Sequence, residues 1–236
     1  MTDIPLHLAA VHARIGAACK AAGRDPATVR LLAVSKTRPA GDVAAAHAAG
    51  QTAFGENYVQ EAVNKIQTLS HLPLEWHLIG PLQSNKTADV AAFFDWVHSV
   101  DRLKIAQRLS AQRPADRPSL NLCLQVNIDD EDSKSGCRAE DTEALARAVL
   151  ALPGVRLRGL MAIPRPGNPA ALTQLAALHE RLLANIPALS AAGFDTLSMG
   201  MSDDLEAAIA AGSTMVRVGT AIFGERVKHV QEPGLT

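Results

Sequence analysis

A lysine closes the apolar run Leu31-Leu32-Ala33-Val34-Ser35-Lys36 and is followed by Thr37-Arg38-Pro39. An amine at the rim of an apolar core is costly to charge, which lowers its pKa and makes the neutral nucleophile accessible near neutral pH. Neutral lysine condenses with aldehydes to Schiff bases. A lone strand-end lysine otherwise reads as a side chain snorkelling to water, so the reading depends on what shares its end of the fold. Leu197-Ser198-Met199-Gly200-Met201-Ser202-Asp203-Asp204 and the pair Gly219-Thr220 suit an anion. Gly200 permits close backbone approach, and Ser202 is expected at a helix N-cap, where its hydroxyl and the free amides can face a phosphate. Plain capping, with Asp203 and Asp204 complementing the helix dipole, is the competing reading. Arg217 lies two residues before Gly219, hence on the same strand face, toward the interior. A buried arginine needs an acceptor, either a ligand nitrogen or a carboxylate such as Glu206. Asn57 reads equally as a ligand's hydrogen-bond partner or as the closure of a turn. His77 reads more readily as a satisfied core residue than as a catalyst. Lys134 is a loop charge that could bind an anion, and Lys86, Arg102 and Lys104 read as solvated helix faces.

These positions meet only if the elements around them form one mouth. Short apolar runs bounded by turn residues predict strands over 29–36, 52–56, 74–79, 95–99, 120–127, 155–162, 195–198 and 214–218. Ile4, Leu8, Val11, Ile15 and Cys19 predict an amphipathic helix over 4–22, stopped by Gly23. Ala- and Leu-rich stretches over 40–49, 58–69, 85–94, 101–112, 139–151, 169–187 and 202–211 fill the intervals. Such alternation demands parallel pairing. Eight units in about 200–250 residues match a closed barrel, and no glycine-rich dinucleotide fingerprint follows the first strand to favour an open Rossmann sheet. The expected fold is α/β, a single (β/α)8 TIM-type barrel over 1–236 with an extra N-terminal helix. Every strand of such a barrel ends on one face, which gathers Lys36, Asn57, the 198–202 segment and Arg217 to Thr220. The opposite face offers mainly Arg30, Arg156 and Arg158, expected to be solvated. The loop Pro164-Arg165-Pro166-Gly167-Asn168-Pro169 is the natural place for a lid.

The composition narrows the classes of function. The 236 residues are 47% hydrophobic and 20% charged with a net charge of -1, which suits one globular domain and gives no field to draw in nucleic acid or anionic lipid. Three cysteines, Cys19, Cys123 and Cys137, lack CxxC spacing; this argues against a disulfide framework and a zinc site, and fits a cytoplasmic protein. Neither a signal peptide nor a membrane span is expected, because no apolar run approaches about twenty residues.

Five motifs carry a resemblance. They are Ala33-Val34-Ser35-Lys36-Thr37, Phe54-Gly55-Glu56-Asn57-Tyr58-Val59-Gln60-Glu61, Trp76 to Lys86, Gly159-Leu160-Met161-Ala162-Ile163-Pro164, and Leu197 to Gly224. In this order, spanning about residues 4 to 226, they closely resemble the pyridoxal phosphate homeostasis protein family. The resemblance implies a barrel like the N-terminal domain of alanine racemase, with pyridoxal 5'-phosphate (PLP) held as a Schiff base on Lys36. It also implies phosphate contacts from Ser202, Gly219 and Thr220, and Arg217 facing the pyridine nitrogen. Arg38 stands where many members have lysine; it keeps the charge but cannot form an imine.

The expected function is buffering or delivery of PLP without robust turnover. Candidate partners are apo forms of PLP-dependent enzymes, and the chain is expected to be a monomer. An arginine facing the ring nitrogen disfavours its protonation and weakens the ring as an electron sink. Racemisation needs a second base opposite the lysine; the only tyrosine, Tyr58, starts a helix, and no further domain is expected after Gly224. The alternatives are a PLP-dependent amino-acid racemase or lyase, and a sugar-phosphate enzyme using Lys36 as an aldolase-type nucleophile.

Overall fold

Period-two alternation in each short apolar run sends one set of side chains into the barrel and the other against the helices. The computed structural model describes residues 2–131 and 135–225. Its strands are Arg30–Val34 (β1), Ala53–Glu56 (β2), Glu75–Leu78 (β3), Trp96–Val100 (β4), Leu120–Asn127 (β5), Cys137–Arg138 (β6), Val155–Met161 (β7), Thr196–Ser198 (β8) and Met215–Val218 (β9). All pairings are parallel. The order β4-β3-β2-β1-β9-β8-β7-β5 closes through a β4–β5 pairing, so eight strands form the barrel. The two-residue β6, absent from the expected elements, pairs at the end of β5 outside that ring.

The helices are Ile4–Ala21 (α1), Ala40–Ala48 (α2), Val59–Thr68 (α3), Thr87–Phe93 (α4), Leu103–Gln112 (α5), Thr142–Leu150 (α6), Pro169–Asn185 (α7), Pro187–Ala192 (α8), Leu205–Ala210 (α9) and Thr220–Phe223 (α10). The expected helix over 169–187 ends at Asn185, because Pro187 disfavours helical geometry at Ile186. The expected helix over 202–211 begins only at Leu205. Asp204 Oδ1 accepts from the Met201 amide at 2.6 Å and winds residues 202–204 into a turn, so Ser202 is not the N-cap and Asp204 occupies that position.

Outward-facing Phe54, Leu78, Val97 and Leu122 join the helices in one large apolar core. Inside the barrel, Leu32, Ala53 and Met215 form one small apolar cluster, and Trp96, Cys123 and Met161 another. Between these clusters the interior is polar, a departure from the branched aliphatic filling usual in such barrels. Helix α1 lies over the last turns of the chain: His7 Nδ1 bonds the Ile222 carbonyl at 3.0 Å, and Arg14 pairs with Glu206 at 2.5 and 2.7 Å. No helix among the described residues is long and apolar enough to cross a membrane.

Gly159 sits opposite Thr196 where β7 meets β8, and a Cβ there would lie 1.8 Å from the Thr196 carbonyl oxygen. Gly159→Ala must therefore separate two strands of a closed ring. Its expected cost is above about 3 kcal/mol, measured as a lowered urea midpoint; an unchanged midpoint would show that β7 can shift freely.

Candidate functional site

Lys36 follows β1 and is half-buried at the mouth. Its two neighbours are pinned by a buried ion cluster. Ser35 Oγ donates to Glu56 Oε1 at 2.6 Å, and Lys65 Nζ donates to the Ser35 carbonyl at 2.7 Å. The Thr37 amide donates to Glu61 Oε1 at 2.6 Å, with Thr37 held at φ 62°. Lys65 ties the two acids together, at 2.8 Å from Glu56 Oε1 and 2.6 Å from Glu61 Oε1. Burial pushes the Glu56 carboxyl above its ordinary range, with Lys65 opposing that rise. Arg38 donates to the Gly224 carbonyl, so the loop after β1 is also tied to the end of α10.

Arg217 is buried on β9 and points into the barrel. Nη1 donates to the Ser198 carbonyl at 2.5 Å and to Ser198 Oγ at 2.8 Å, and Nη2 donates to the Ala162 carbonyl at 2.8 Å. The expected carboxylate partner, Glu206, is elsewhere: it projects outward from α9 and pairs with Arg14. Burial lowers the Arg217 guanidinium to about 10 against the opposing charge of Asp204, so it stays charged at neutral pH.

The loops after β8 and β9 flank this arginine. The Gly200 carbonyl, on a residue at φ 94°, accepts from the Arg217 amide at 2.9 Å. A Cβ there would lie 2.4 Å from Ala208 Cβ, so the close approach that Gly200 permits is that of α9. Gly219 packs against Val34, where a Cβ would stand 3.1 Å from the Val34 carbonyl oxygen. The β9 loop therefore abuts the strand that carries Lys36. Ser202 is half-buried and Thr220 exposed on this rim.

Asn57, Ile79, Gly80, Pro81, Gln125, Ser135 and Ile163 line a cavity of about 290 Å³ at the mouth. Asn57 Oδ1 is buried there without a hydrogen-bond partner among the described residues, which favours ligand binding over turn closure for this residue. The proline-rich loop is fastened to the barrel, with Asp129 accepting from the Arg165 amide and from Asn168 Nδ2, each at 2.7 Å. Lys134 lies outside the described residues.

His77 is a satisfied core residue and belongs to a longer array. His77 Nε2 lies 2.6 Å from Glu75 Oε1, His77 Nδ1 2.9 Å from His98 Nε2, and His98 Nδ1 2.8 Å from Ser198 Oγ. Glu75 also accepts from Arg30 at 2.9 Å. The N-terminal face is thus more than a set of solvated arginines: Arg158 pairs with Asp195 at 2.8 Å and stacks 4.9 Å over Trp96.

Comparison with known proteins bears on this geometry. The alanine racemase N-terminal domain model matches residues 6–227. The pyridoxal phosphate homeostasis protein of Pseudomonas aeruginosa is 62% identical over 229 residues, covering 96% of this chain and 97% of that one. This chain belongs to the pyridoxal phosphate homeostasis protein family. The structure of PipY from Synechococcus elongatus with PLP bound is 38% identical, covers 94% of this chain and all of that one, and superposes with a TM-score of 0.81. Alanine racemase from Corynebacterium glutamicum shares the fold alone: it is 17% identical with a TM-score of 0.63, covering 96% of this chain and 65% of that one.

Lys65, Glu61 and His98 escaped the sequence reading. Lys65 falls among Val59, Ala62 and Val63 on the buried side of α3, four residues after Glu61, and a lysine inside an apolar helical stripe is the available signal. His98 shares a face with Trp96 by strict alternation and lies one strand from His77.

Proposed function

We propose that the chain binds PLP at the mouth of the barrel with Lys36 as its reversible covalent anchor, and that it buffers or delivers the cofactor as a single barrel domain. One observation carries the placement. Lys36 is half-buried on a backbone pinned at both Ser35 and Thr37, and the loop bearing Gly219 abuts its strand. The remaining residues fit the same group: Arg217 is a buried cationic donor between the rim loops, Asn57 Oδ1 an acceptor awaiting a donor, and Ser202 and Thr220 offer hydroxyls on the rim.

When bound, PLP supplies an aldehyde for the lysine and a ring whose electron-withdrawing power depends on the charge at its nitrogen. A charged Arg217 donating to that nitrogen keeps a proton off it, which supports storage over turnover. Ser202, Gly219 and Thr220 orient the phosphate. Apo forms of PLP-dependent enzymes are the proposed recipients and the monomer the proposed state. Free thiols at Cys19 and Cys123, both buried, suit a reducing cytoplasm.

Borohydride reduction of the PLP-loaded protein followed by peptide mapping tests this. The expected product is a single modified peptide containing Lys36; a label on another lysine overturns the assignment. Ser202→Ala and Thr220→Val are each expected to weaken PLP affinity about tenfold, the effect of losing one hydrogen bond to a charged group, with the urea midpoint held. Unchanged affinity would refute the phosphate placement.

A further inference from the structure

A hydrogen-bonded column crosses the barrel interior from its N-terminal face to the mouth: Arg30, Glu75, His77, His98, Ser198, Arg217. Its two ends fix its direction. A carboxylate only accepts and a guanidinium only donates. Burial opposes ionisation of Glu75, while the bonds it accepts from His77 and Arg30 lower its carboxyl, so it is ionised. At 2.6 Å, His77 Nε2 must carry a proton toward it. Burial pushes both imidazoles below their ordinary value, so each is neutral with one proton. His77 Nδ1 is then an acceptor, His98 Nε2–H its donor, and His98 Nδ1 an acceptor for the Ser198 hydroxyl. The Ser198 proton therefore points away from Arg217 and leaves its oxygen free to accept from Nη1.

We propose that His77 and His98 are positioning residues which, as Nε2–H tautomers, orient the Ser198 hydroxyl and thereby hold the Arg217 guanidinium toward the ligand at the mouth. The proposal rests on the reading that this ligand is PLP with its ring nitrogen at Arg217. The groups that face the pair are Glu75, Arg30 and Asp95 from the N-terminal side and Arg217 from the mouth. His77 also stacks on Trp96, with centroids 5.3 Å apart and planes 9° apart, which fixes the ring plane along the column.

Two substitutions separate orientation from packing. His98→Asn keeps an acceptor near the Nδ1 position but loses volume, whereas His98→Leu fills the space and offers no acceptor. Orientation ranks asparagine above leucine; packing ranks them in reverse. PLP affinity is expected to fall about tenfold in His98→Leu and to stay within about twofold of wild type in His98→Asn. In the PLP-free protein, nitrogen-15 NMR is expected to show the rings of His77 and His98 protonated at Nε2. The Arg217 guanidinium protons should exchange slowly in wild type and His98→Asn and rapidly in His98→Leu. A proton on Nδ1 of either ring, or slow Arg217 exchange in His98→Leu, overturns the proposal. Wild-type protein that shows the expected NMR pattern but fails to bind PLP would instead refute the ligand reading and leave the column standing as an arginine-positioning device.

Discussion

Lys36→Ala is expected to abolish covalent capture of PLP completely, removing the visible absorbance band and the borohydride-stable label together. Retention through Arg217 and the rim hydroxyls should persist as a weak, dialysable association. The urea midpoint should move little, because Lys36 is only half-buried and substitutions at such positions cost about 0.5 kcal/mol. Lys36→Arg isolates the chemistry from the charge, since a guanidinium stays protonated and cannot condense. A persisting band in either variant would move the anchor to another lysine.

Lys65→Met is expected to lower stability strongly, because Lys65 is buried against Glu56. Methionine fills the stem's space but leaves Glu56 fully buried with its charge partner gone, and its second oxygen already lacks a partner. Breaking a buried pair from one side costs about 3–5 kcal/mol, read here as a lowered urea midpoint. Burial already favours a protonated Glu56, so the loss should shrink at low pH, where the isolated acid is neutral. Adding Glu56→Gln to Lys65→Met should recover much of the stability by removing the stranded charge. Recovery of stability without recovery of PLP capture is the expected signature, because the Ser35 carbonyl and Glu61 would still be unfastened on both sides of Lys36. Capture at the wild-type rate in Lys65→Met would show that the cluster serves folding alone.

The barrel was legible because its strands are short apolar runs separated by helices with clear ends; each run sits where the pattern placed it, and the closing β4–β5 pairing follows from the strand count. The details that escaped are local. A turn closed by Asp204 Oδ1 on the Met201 amide displaced the helix start from Ser202, and Pro187 broke a helix that apolar periodicity alone would continue. At the site, Lys36 and Arg217 were visible as charged residues in apolar strands, where burial demands an explanation. Arg217's partners were not visible: three of its bonds end on Ser198 and Ala162, two of them on backbone carbonyls that no residue type announces. Lys65 and His98 were hidden for a different reason. Their importance comes from neighbours brought together across strands and helices, and a register is needed before a lone histidine becomes half of a pair.

The seam between β1 and β9 has a temporal meaning. The amine arrives with the first strand and Gly219-Thr220 only after the last, although the two strands lie side by side in the finished ring. During synthesis the lysine must therefore emerge without its counterpart, and a reactive aldehyde meeting it then finds a solvated, protonated amine. Only circularisation of the sheet brings the two ends of the chain into register. A ligand bridging them acts as a clasp, so occupancy should be felt as resistance to opening at that seam before anywhere else in the molecule.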